Sequence, residues 1–233
     1  MEKVTVGIIV AMDIELENIE KAMTSTAVSE ISGMRFVVGD LHGKKVAAAR
    51  CGIGKVFAAI CTQTMILEFS PEVIINAGVA GAIDKDLTIN EIVIGKRAVQ
   101  YDMDTSGLGD EPGMISGINL VYIPTDERVT NLLEQVVKKM GVNYKTGTIA
   151  TGDQFINKNE MKRHLAENFG ASSCDMEGGS VVQTCYINNV PCSVMRAISD
   201  GGDDNSNMDY MTFAKKAADT SAKVIEEFVR AYE

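Results

Sequence analysis

The sequence contains no tryptophan, and aromatic residues of any kind make up only 6% of it. A hydrophobic core therefore depends on isoleucine, valine, alanine and methionine, within a hydrophobic content of 45%. A chain of 233 residues is long enough to bury one sizeable core. We expect residues 1–233 to form a single domain.

Clusters of basic residues are also missing. The formal net charge is −10, the calculated pI is about 4.8, and the lysines and arginines are scattered along the chain. Proteins that bind nucleic acid need clustered positive charge to replace the counterions around phosphates. An acidic surface also disfavours anionic membranes. We therefore expect neither nucleic acid nor membrane as a partner.

Long hydrophobic runs and a signal peptide are absent as well. The apolar run at residues 4–12 is interrupted by Asp13 and Glu15, well short of the roughly 20 residues that a membrane-spanning helix needs. It lacks the basic start and the cleavage site of a secretory signal. These features predict a cytoplasmic protein.

Metal-binding and disulfide patterns are lacking too. The five cysteines show no C-x-x-C spacing, and an odd count of this kind is typical of reduced thiols in a cytosol. The two histidines, His42 and His164, lie far apart and away from cysteine or carboxylate at ligand spacing. The sequence predicts no metal site and no cofactor.

Buried β-type runs alternate with amphipathic helical segments along the chain, and this alternation is typical of an α/β fold. We expect a central mixed, mostly parallel sheet flanked by helices. The predicted strands are residues 4–10, 34–38, 45–50, 72–76, 91–99, 146–150 and 192–197. The predicted helices are residues 13–23, 55–69, 127–140, 158–169, 177–188 and 210–232, and residues 77–82 and 101–118 are predicted loops.

Ligands of such sheets bind beyond the carboxyl ends of the strands. The corresponding segments are residues 12–15, 52–55, 76–81, 152–155 and 199–200, joined by 175–177. They are rich in carboxylates and small residues and poor in basic ones. The glycines of 52–55 and 78–81 match neither the phosphate-binding P-loop nor the dinucleotide fingerprint, and such isolated turns are usually packing devices. A site of this composition favours a neutral, polyhydroxylated ligand.

Three carboxylates stand at these strand-to-helix junctions: Glu15, Glu177 and Asp200. Taken singly, Glu15 and Glu177 have a plain structural explanation, because acids are favoured in the first turn of a helix. Together they indicate chemistry. Cleavage of a glycosidic bond needs one carboxyl group that protonates the leaving group and another that activates water.

Six motifs then occur in one order along nearly the whole chain. Together they resemble the methylthioadenosine/S-adenosylhomocysteine nucleosidases of the purine nucleoside phosphorylase superfamily. The motifs are Ala11-Met12-x-x-Glu15, Gly52-Ile-Gly-Lys55-Val, Val73-Ile-Ile-Asn76-x-Gly78-x-Ala-Gly81, Gly152-Asp-x-Phe155-Ile156, Asp175-Met-Glu177 and Arg196-Ala-Ile-Ser-Asp200.

The resemblance implies hydrolysis of the bond between adenine and ribose in 5'-methylthioadenosine and S-adenosylhomocysteine. Asp200 is then the general acid that protonates N7 of adenine, with Ser199 orienting it. Glu15 is the base that takes a proton from the attacking water, and Arg196 lies near that water. The resemblance also implies roles in nucleoside catabolism and methionine salvage.

The resemblance assigns the other binding residues as well. Glu177 and Met176 hold the ribose, Phe155 stacks on adenine, the Ile156 backbone reads the purine edge, and Gly81 belongs to the same binding set. An apolar wall around the 5'-alkylthio group comprises Met12, Ile53, Tyr210 and Phe213, for which ordinary core packing is the alternative. The family also implies a homodimer in which the region of residues 101–118 helps to close a neighbouring subunit's 5' pocket.

Other functions remain open at this point. Phosphorylases of the superfamily attack with phosphate, which they surround with arginines, whereas this chain has acids at residues 13–20 and Asn76 before Ala77. A hydrolase of futalosine or adenosine, a non-catalytic nucleoside-binding homologue and a signalling receiver-like domain are further alternatives. The chain departs from the family at Val79, where serine is common, and in the loop 101–118.

Overall fold

In the part of the chain that the computed structural model describes, residues 3–233, ten strands form one mixed sheet flanked by six helices. The strands are β1 (Val6–Val10), β2 (Thr24–Ile31), β3 (Met34–Leu41), β4 (Lys44–Arg50), β5 (Val73–Ala82), β6 (Ile92–Gln100), β7 (Ile123–Pro124), β8 (Tyr144–Thr151), β9 (Ala171–Asp175) and β10 (Cys192–Asp200). The helices are α1 (Asp13–Ala22), α2 (Lys55–Phe69), α3 (Glu127–Met140), α4 (Asn159–Phe169), α5 (Gly178–Asn188) and α6 (Ser206–Ala231). The predicted α/β class is confirmed.

Five strands close into a ring. β5 pairs with β10, β10 with β6, β6 with β8, β8 with β9, and β9 returns to β5. The longest pairings, β5 with β10 and β6 with β8, are parallel. The sheet continues from β5 through β1, β4 and β3 to the edge strand β2.

The register of the ring brings several strand ends together. Asp200 at the end of β10 lies opposite Gly81 of β5, and Gly81 lies opposite Cys174 of β9. Asp175, the last residue of β9, lies opposite Thr151, the last residue of β8. Residues from four strands therefore meet at one place, as the strand-end rule leads one to expect.

Hydrophobic clusters fill both sides of the sheet. One cluster joins β1 and β5 to α1, α3 and α6 through side chains such as Leu16, Leu133 and Phe228. A second joins the sheet to α2 and α5 through side chains such as Met65 and Val181. Full burial of each such side chain stabilises the fold by about 1.5–3 kcal/mol. The site is thus held on a packed scaffold.

The sequence patterns missed three strands, of which β7 is a pair of residues, Ile123–Pro124, bonded to β6. β2 lacks the alternation of apolar and polar residues because it is the exposed edge of the sheet. β9 has the sequence ASSCD, whose small and polar residues give no apolar run even though all five are buried. Propensity alone cannot identify a strand of this kind.

The predicted loop at residues 77–82 was also wrong, because these residues continue β5. Their small size reflects close approach by carboxylates. A β-carbon added to Gly78 would lie 2.9 Å from Oε1 of Glu15, and one added to Gly81 would lie 3.0 Å from Oδ1 of Asp200. Small residues in this strand therefore make room for functional side chains.

Within residues 3–233, no helix has the length and apolar character needed to cross a membrane. In the same range, no group of three or more histidine, cysteine, aspartate or glutamate side chains is arranged to hold a metal ion. The five cysteines are buried free thiols. Met1 and Glu2, on which the expected lack of a signal peptide partly rests, lie outside the described residues.

Candidate active site

A cavity lies where the ends of β5, β8, β9 and β10 meet. Its empty volume is about 710 Å³, including the solvent space at its mouth. It is lined by all but one of the site residues predicted from the sequence, namely Met12, Glu15, Ile53, Gly81, Phe155, Ile156, Met176, Glu177, Arg196, Ser199, Asp200 and Tyr210.

Phe213 is the predicted site residue that the structure does not bring to the cavity. It is half-buried on α6, three positions after Tyr210, which does line the cavity. Phe213 is therefore not among the residues that form the apolar wall of this cavity.

Asp200 is the last residue of β10 and is only 2% exposed. Oδ2 accepts a hydrogen bond from the Ser199 hydroxyl at 2.9 Å, and Oδ1 accepts one from the Gly202 amide at 2.9 Å. Burial raises the pKa of Asp200, although these hydrogen bonds act in the opposite direction. A carboxyl group with a raised pKa and fixed orientation is suited to donate a proton.

Glu15 lies in the first turn of α1 and is 3% exposed. Oε2 accepts hydrogen bonds from the amides of Ala11 and Met12 at 3.0 and 2.9 Å, and Oε1 accepts one from the Val79 amide at 3.1 Å. Burial raises the pKa of Glu15, while these amides and the positive charge of Arg196 lower it. The result is a fixed carboxylate with increased basicity.

Glu177 immediately precedes α5, and Oε1 accepts a hydrogen bond from the Gly54 amide at 2.9 Å. Burial and the neighbouring negative charge of Asp175 raise the pKa of Glu177 to about 7, against the influence of Arg196 and the Gly54 amide. Glu177 therefore changes its charge near neutral pH.

Arg196 is fully committed to protein partners through its two terminal nitrogens. Nη2 pairs with Oδ2 of Asp175 at 2.6 Å and also donates to the side chain of Asn76. Nη1 donates to the backbone oxygens of Asn76 and Met195 at 3.2 and 3.0 Å. Both members of the Arg196–Asp175 pair are buried, so their charges compensate each other within the wall of the site.

Aromatic and apolar side chains form the rest of the wall. Tyr210 on α6 meets Phe155 edge-to-face, with 5.7 Å between ring centroids, and its hydroxyl lies 2.9 Å from the sulfur of Met12. Ile53 lines the cavity but is 57% exposed to solvent. The cavity therefore has a polar, acidic interior and an apolar side that opens to the surface.

Three functional groups near the cavity were not assigned a role from the sequence. Asp175 and Asn76 hold Arg196, and Gly54 donates to Glu177. Asp175 was recognised only as part of the segment 175–177 at a helix start, Asn76 only as a strand-end residue that argues against a phosphorylase, and Gly54 only as part of a glycine motif. A buried arginine needs hydrogen-bonding partners. That requirement is the signal from which Asp175 and Asn76 could have been identified as partners of Arg196.

Comparison with known proteins bears directly on this geometry. The sequence model of a family described as the phosphorylase superfamily matches residues 5–230. This chain belongs to the phosphorylase superfamily. One relative from the superfamily, a 5'-methylthioadenosine/S-adenosylhomocysteine nucleosidase of Staphylococcus carnosus, is 35% identical over 97% of this chain and 99% of its own.

Two further relatives come from Helicobacter pylori. An aminodeoxyfutalosine nucleosidase is 38% identical over 85% of this chain and 86% of its own. The crystal structure of a 5'-methylthioadenosine/S-adenosylhomocysteine nucleosidase in complex with a substituted pyrrolidin-3-ol superposes with a TM-score of 0.94, at 34% identity, and covers 98% of this chain and 99% of that one. The predicted resemblance within the phosphorylase superfamily, and with it the class of hydrolytic N-glycosidase, is confirmed.

Proposed function

We propose that this chain hydrolyses the N-glycosidic bond of 5'-methylthioadenosine and S-adenosylhomocysteine, releasing adenine and a 5'-thioribose. The observation that carries the proposal is the placement of Glu15, Glu177 and Asp200 around one cavity. Each carboxylate is fixed by a different set of hydrogen bonds, so each is suited to a different role.

Asp200 acts on the leaving group. Its pKa is raised, so it carries a proton more readily than an ordinary aspartate, and Ser199 fixes its orientation. Donation of that proton to N7 of adenine lets the purine leave as a neutral molecule. A well-placed general acid accelerates a reaction by about 10²–10⁴-fold.

Glu15 and Glu177 act on the sugar side. Departure of adenine leaves cationic, oxocarbenium character on the ribose, which nearby carboxylates stabilise. Glu15 accepts the proton of the attacking water, and Glu177 accepts hydrogen bonds from the ribose hydroxyls. Phe155 stacks on adenine, and Met12, Ile53 and Tyr210 contact the 5'-thioether, where each buried methylene contributes about 0.8 kcal/mol.

Water rather than phosphate is the nucleophile that suits this cavity. Among the residues that line it, Arg196 is the one cation, and its terminal nitrogens are held by Asp175, Asn76 and Met195. Four carboxylates line the same space. A phosphate ion would meet repulsion there instead of the charge-assisted hydrogen bonds that it needs.

The test is release of adenine from 5'-methylthioadenosine in phosphate-free buffer and again with phosphate added. We expect adenine and free methylthioribose at the same rate in both. A requirement for phosphate, with a sugar 1-phosphate as product, would make the chain a phosphorylase.

Aminodeoxyfutalosine is a second candidate substrate, because a relative 38% identical to this chain bears the name aminodeoxyfutalosine nucleosidase. The two activities share the cavity and differ in the 5'-substituent, which faces the open apolar side. The same assay with both nucleosides ranks them by kcat/KM. A large preference for aminodeoxyfutalosine would reassign the physiological substrate without changing the mechanism.

The pH dependence follows from Glu177. Its pKa of about 7 means that the carboxylate is ionised above that pH and protonated below it. Only the ionised form offers both oxygens as acceptors, so we expect kcat/KM to fall as the pH decreases through about 7. A pH profile of kcat/KM checks this, and Glu177→Gln should lack the acidic limb. If Glu177→Gln keeps the acidic limb of the wild type, that limb is due to the titration of another group.

We also propose that the chain acts in the cytosol as a homodimer and contributes to methionine salvage. The support for a dimer is an exposed apolar surface on α2 and α5, which we call the α2/α5 surface. Its large side chains are Val56, Phe57, Ile60, Leu67, Tyr186 and Ile187. Gln63 and Asn188 hydrogen-bond across the two helices, so the surface is continuous. Ile53 joins it to the open side of the cavity.

A charge on this surface is expected to prevent dimerisation. Val56 is 69% exposed, and burying aspartate there without a partner would cost several kcal/mol. We expect Val56→Asp to sediment as a monomer, whereas Val28→Asp, at an exposed position on β2, should behave as wild type. Sedimentation velocity distinguishes these outcomes, and a dimeric Val56→Asp would place the interface elsewhere.

A further inference from the structure

A closed ring of hydrogen bonds lies beside the cavity and joins Lys55, Asp102 and Asp153. Nζ of Lys55 pairs with Oδ1 of Asp102 at 2.6 Å. Oδ2 of Asp102 accepts from the Asp153 amide at 2.9 Å. Oδ1 of Asp153 accepts from the Lys55 amide at 2.8 Å. None of the three residues lines the cavity, so any effect on the reaction must be transmitted through neighbouring residues.

The ring fixes the beginning of α2, which has no capping side chain or acidic residue of its own in the first turn. The first amides of a helix have no partners within it and carry partial positive charge. Here two remote carboxylates supply the partners: Asp153 for the Lys55 amide and Glu177 for the Gly54 amide. The Lys55 oxygen accepts from the Ser180 hydroxyl on α5 at 2.7 Å.

Gly54 shows how closely the start of α2 packs against Asp153. Its φ is +103°, a conformation that favours glycine, and a β-carbon there would lie 3.1 Å from Oδ1 of Asp153. The Gly54 amide donates to Glu177 from this constrained position. Asp153 also directly precedes Gln154 and Phe155, both of which line the cavity. The ring therefore connects the proposed ribose-binding carboxylate to the proposed adenine-binding segment.

We propose that Lys55, Asp102 and Asp153 are positioning residues, which hold the Gly54 amide against Glu177 and hold the Phe155 segment against the start of α2. The proposal rests on the nucleosidase reaction proposed above. If the ring opens, the Gly54 amide loses its fixed place beside Glu177, and substrate binding weakens more than the chemical step does. Because that amide favours the ionised carboxylate, its loss also moves the acidic limb of kcat/KM to higher pH.

The kinetic test compares alanine variants with conservative ones. We expect Asp102→Ala and Asp153→Ala to raise KM about 10-fold, the size expected for loss of one hydrogen bond to a charged group, with kcat within about threefold. The midpoint of the acidic limb of kcat/KM should move to higher pH by about half a unit. Asp153→Asn keeps an acceptor oxygen for the Lys55 amide and should restore most of the affinity. Glu134→Ala, a change on α3, breaks an ion pair with Lys96 on β6 and should match wild type.

Hydrogen exchange tests the ring independently of turnover. The Asp102 carboxylate bonds to the Lys55 side chain and the Asp153 amide, but to no amide of residues 54–55. Faster exchange at residues 52–57 in Asp102→Ala, by about 10-fold, would therefore show that the ring transmits the restraint. Wild-type exchange there would overturn the proposal.

The kinetic measurements can overturn the proposal as well. Faster exchange accompanied by a wild-type KM and a wild-type acidic limb in both alanine variants would show that the ring is structural only. Failure of the unaltered chain to release adenine from any of the nucleosides would overturn the proposed function instead. The exchange result would then still decide whether the ring holds α2 in place.

Discussion

Replacement of Asp200 by asparagine is expected to lower kcat for adenine release by about 10²–10⁴-fold, the contribution typical of a general acid. Asparagine has nearly the same shape and keeps one oxygen that can accept from Ser199 or Gly202, but it has no proton of suitable acidity for N7 of adenine. Nucleoside binding should therefore remain within a few fold of wild type. Single-turnover kinetics measures the first quantity, and calorimetric titration of the variant with 5'-methylthioadenosine measures the second.

Asp204→Asn provides a matched control for this experiment. Asp204 lies on the loop that follows Asp200, is exposed, and bonds to Asn159 instead of lining the cavity. The control should retain wild-type kcat, which would show that a local change of charge does not by itself stop the reaction. Unchanged turnover in Asp200→Asn would refute its assignment as the acid.

Glu15→Gln is expected to lower kcat by about 10²–10³-fold while the melting temperature changes by only a few degrees. The amide cannot take a proton from water, so the nucleophile is no longer activated. In glutamine, an NH2 group also replaces one of the two carboxylate oxygens, so the backbone amides that donated to that oxygen lose their acceptor.

The small effect on stability follows from the direction of the Glu15 pKa. Burial raises that pKa in the folded state, so the folded protein binds the proton more tightly than the unfolded chain does. Ionisation of Glu15 therefore costs stability at pH values above its folded pKa. Glutamine avoids this cost and loses part of the hydrogen bonding, so the two effects oppose each other. The exposed Glu17 gives the control Glu17→Gln, which should match wild type in thermal denaturation and activity. A collapse in melting temperature for Glu15→Gln alone would make Glu15 a structural residue.

The positions of the reactive carboxylates could be predicted because they follow from local patterns. β1 is a continuous buried run, and Glu15 stands in the helix that begins just after it. Asp200 ends an equally buried strand. Ligands of such sheets bind at strand ends, so both residues could be assigned to one site without knowledge of the ring of strands.

The partners of those groups could not be predicted, because they depend on how distant strands close. The pairing of Arg196 with Asp175 requires β10 and β9 to face each other across the ring, and β9 itself has no apolar pattern. Asp102 belongs to a segment recognised only as a long polar loop, and its bonds to Lys55 and Asp153 come from elements about 50 residues away on either side. Phe213 lies on the predicted C-terminal helix, but the sequence pattern does not show which side chains of that helix line the cavity.

The closed ring of five strands has a consequence for how the enzyme is made. β10 is the last strand of the chain, yet it pairs with β5, with Val194 opposite Asn76. Contacts between residues so distant in sequence form slowly, because the entropy of closing a long loop is lost before the contacts compensate for it. A nascent chain emerging from the ribosome therefore holds Glu15 and Glu177 before it holds Asp200. Catalytic competence therefore has to wait for β10, which is made after the other four strands of the ring and closes it.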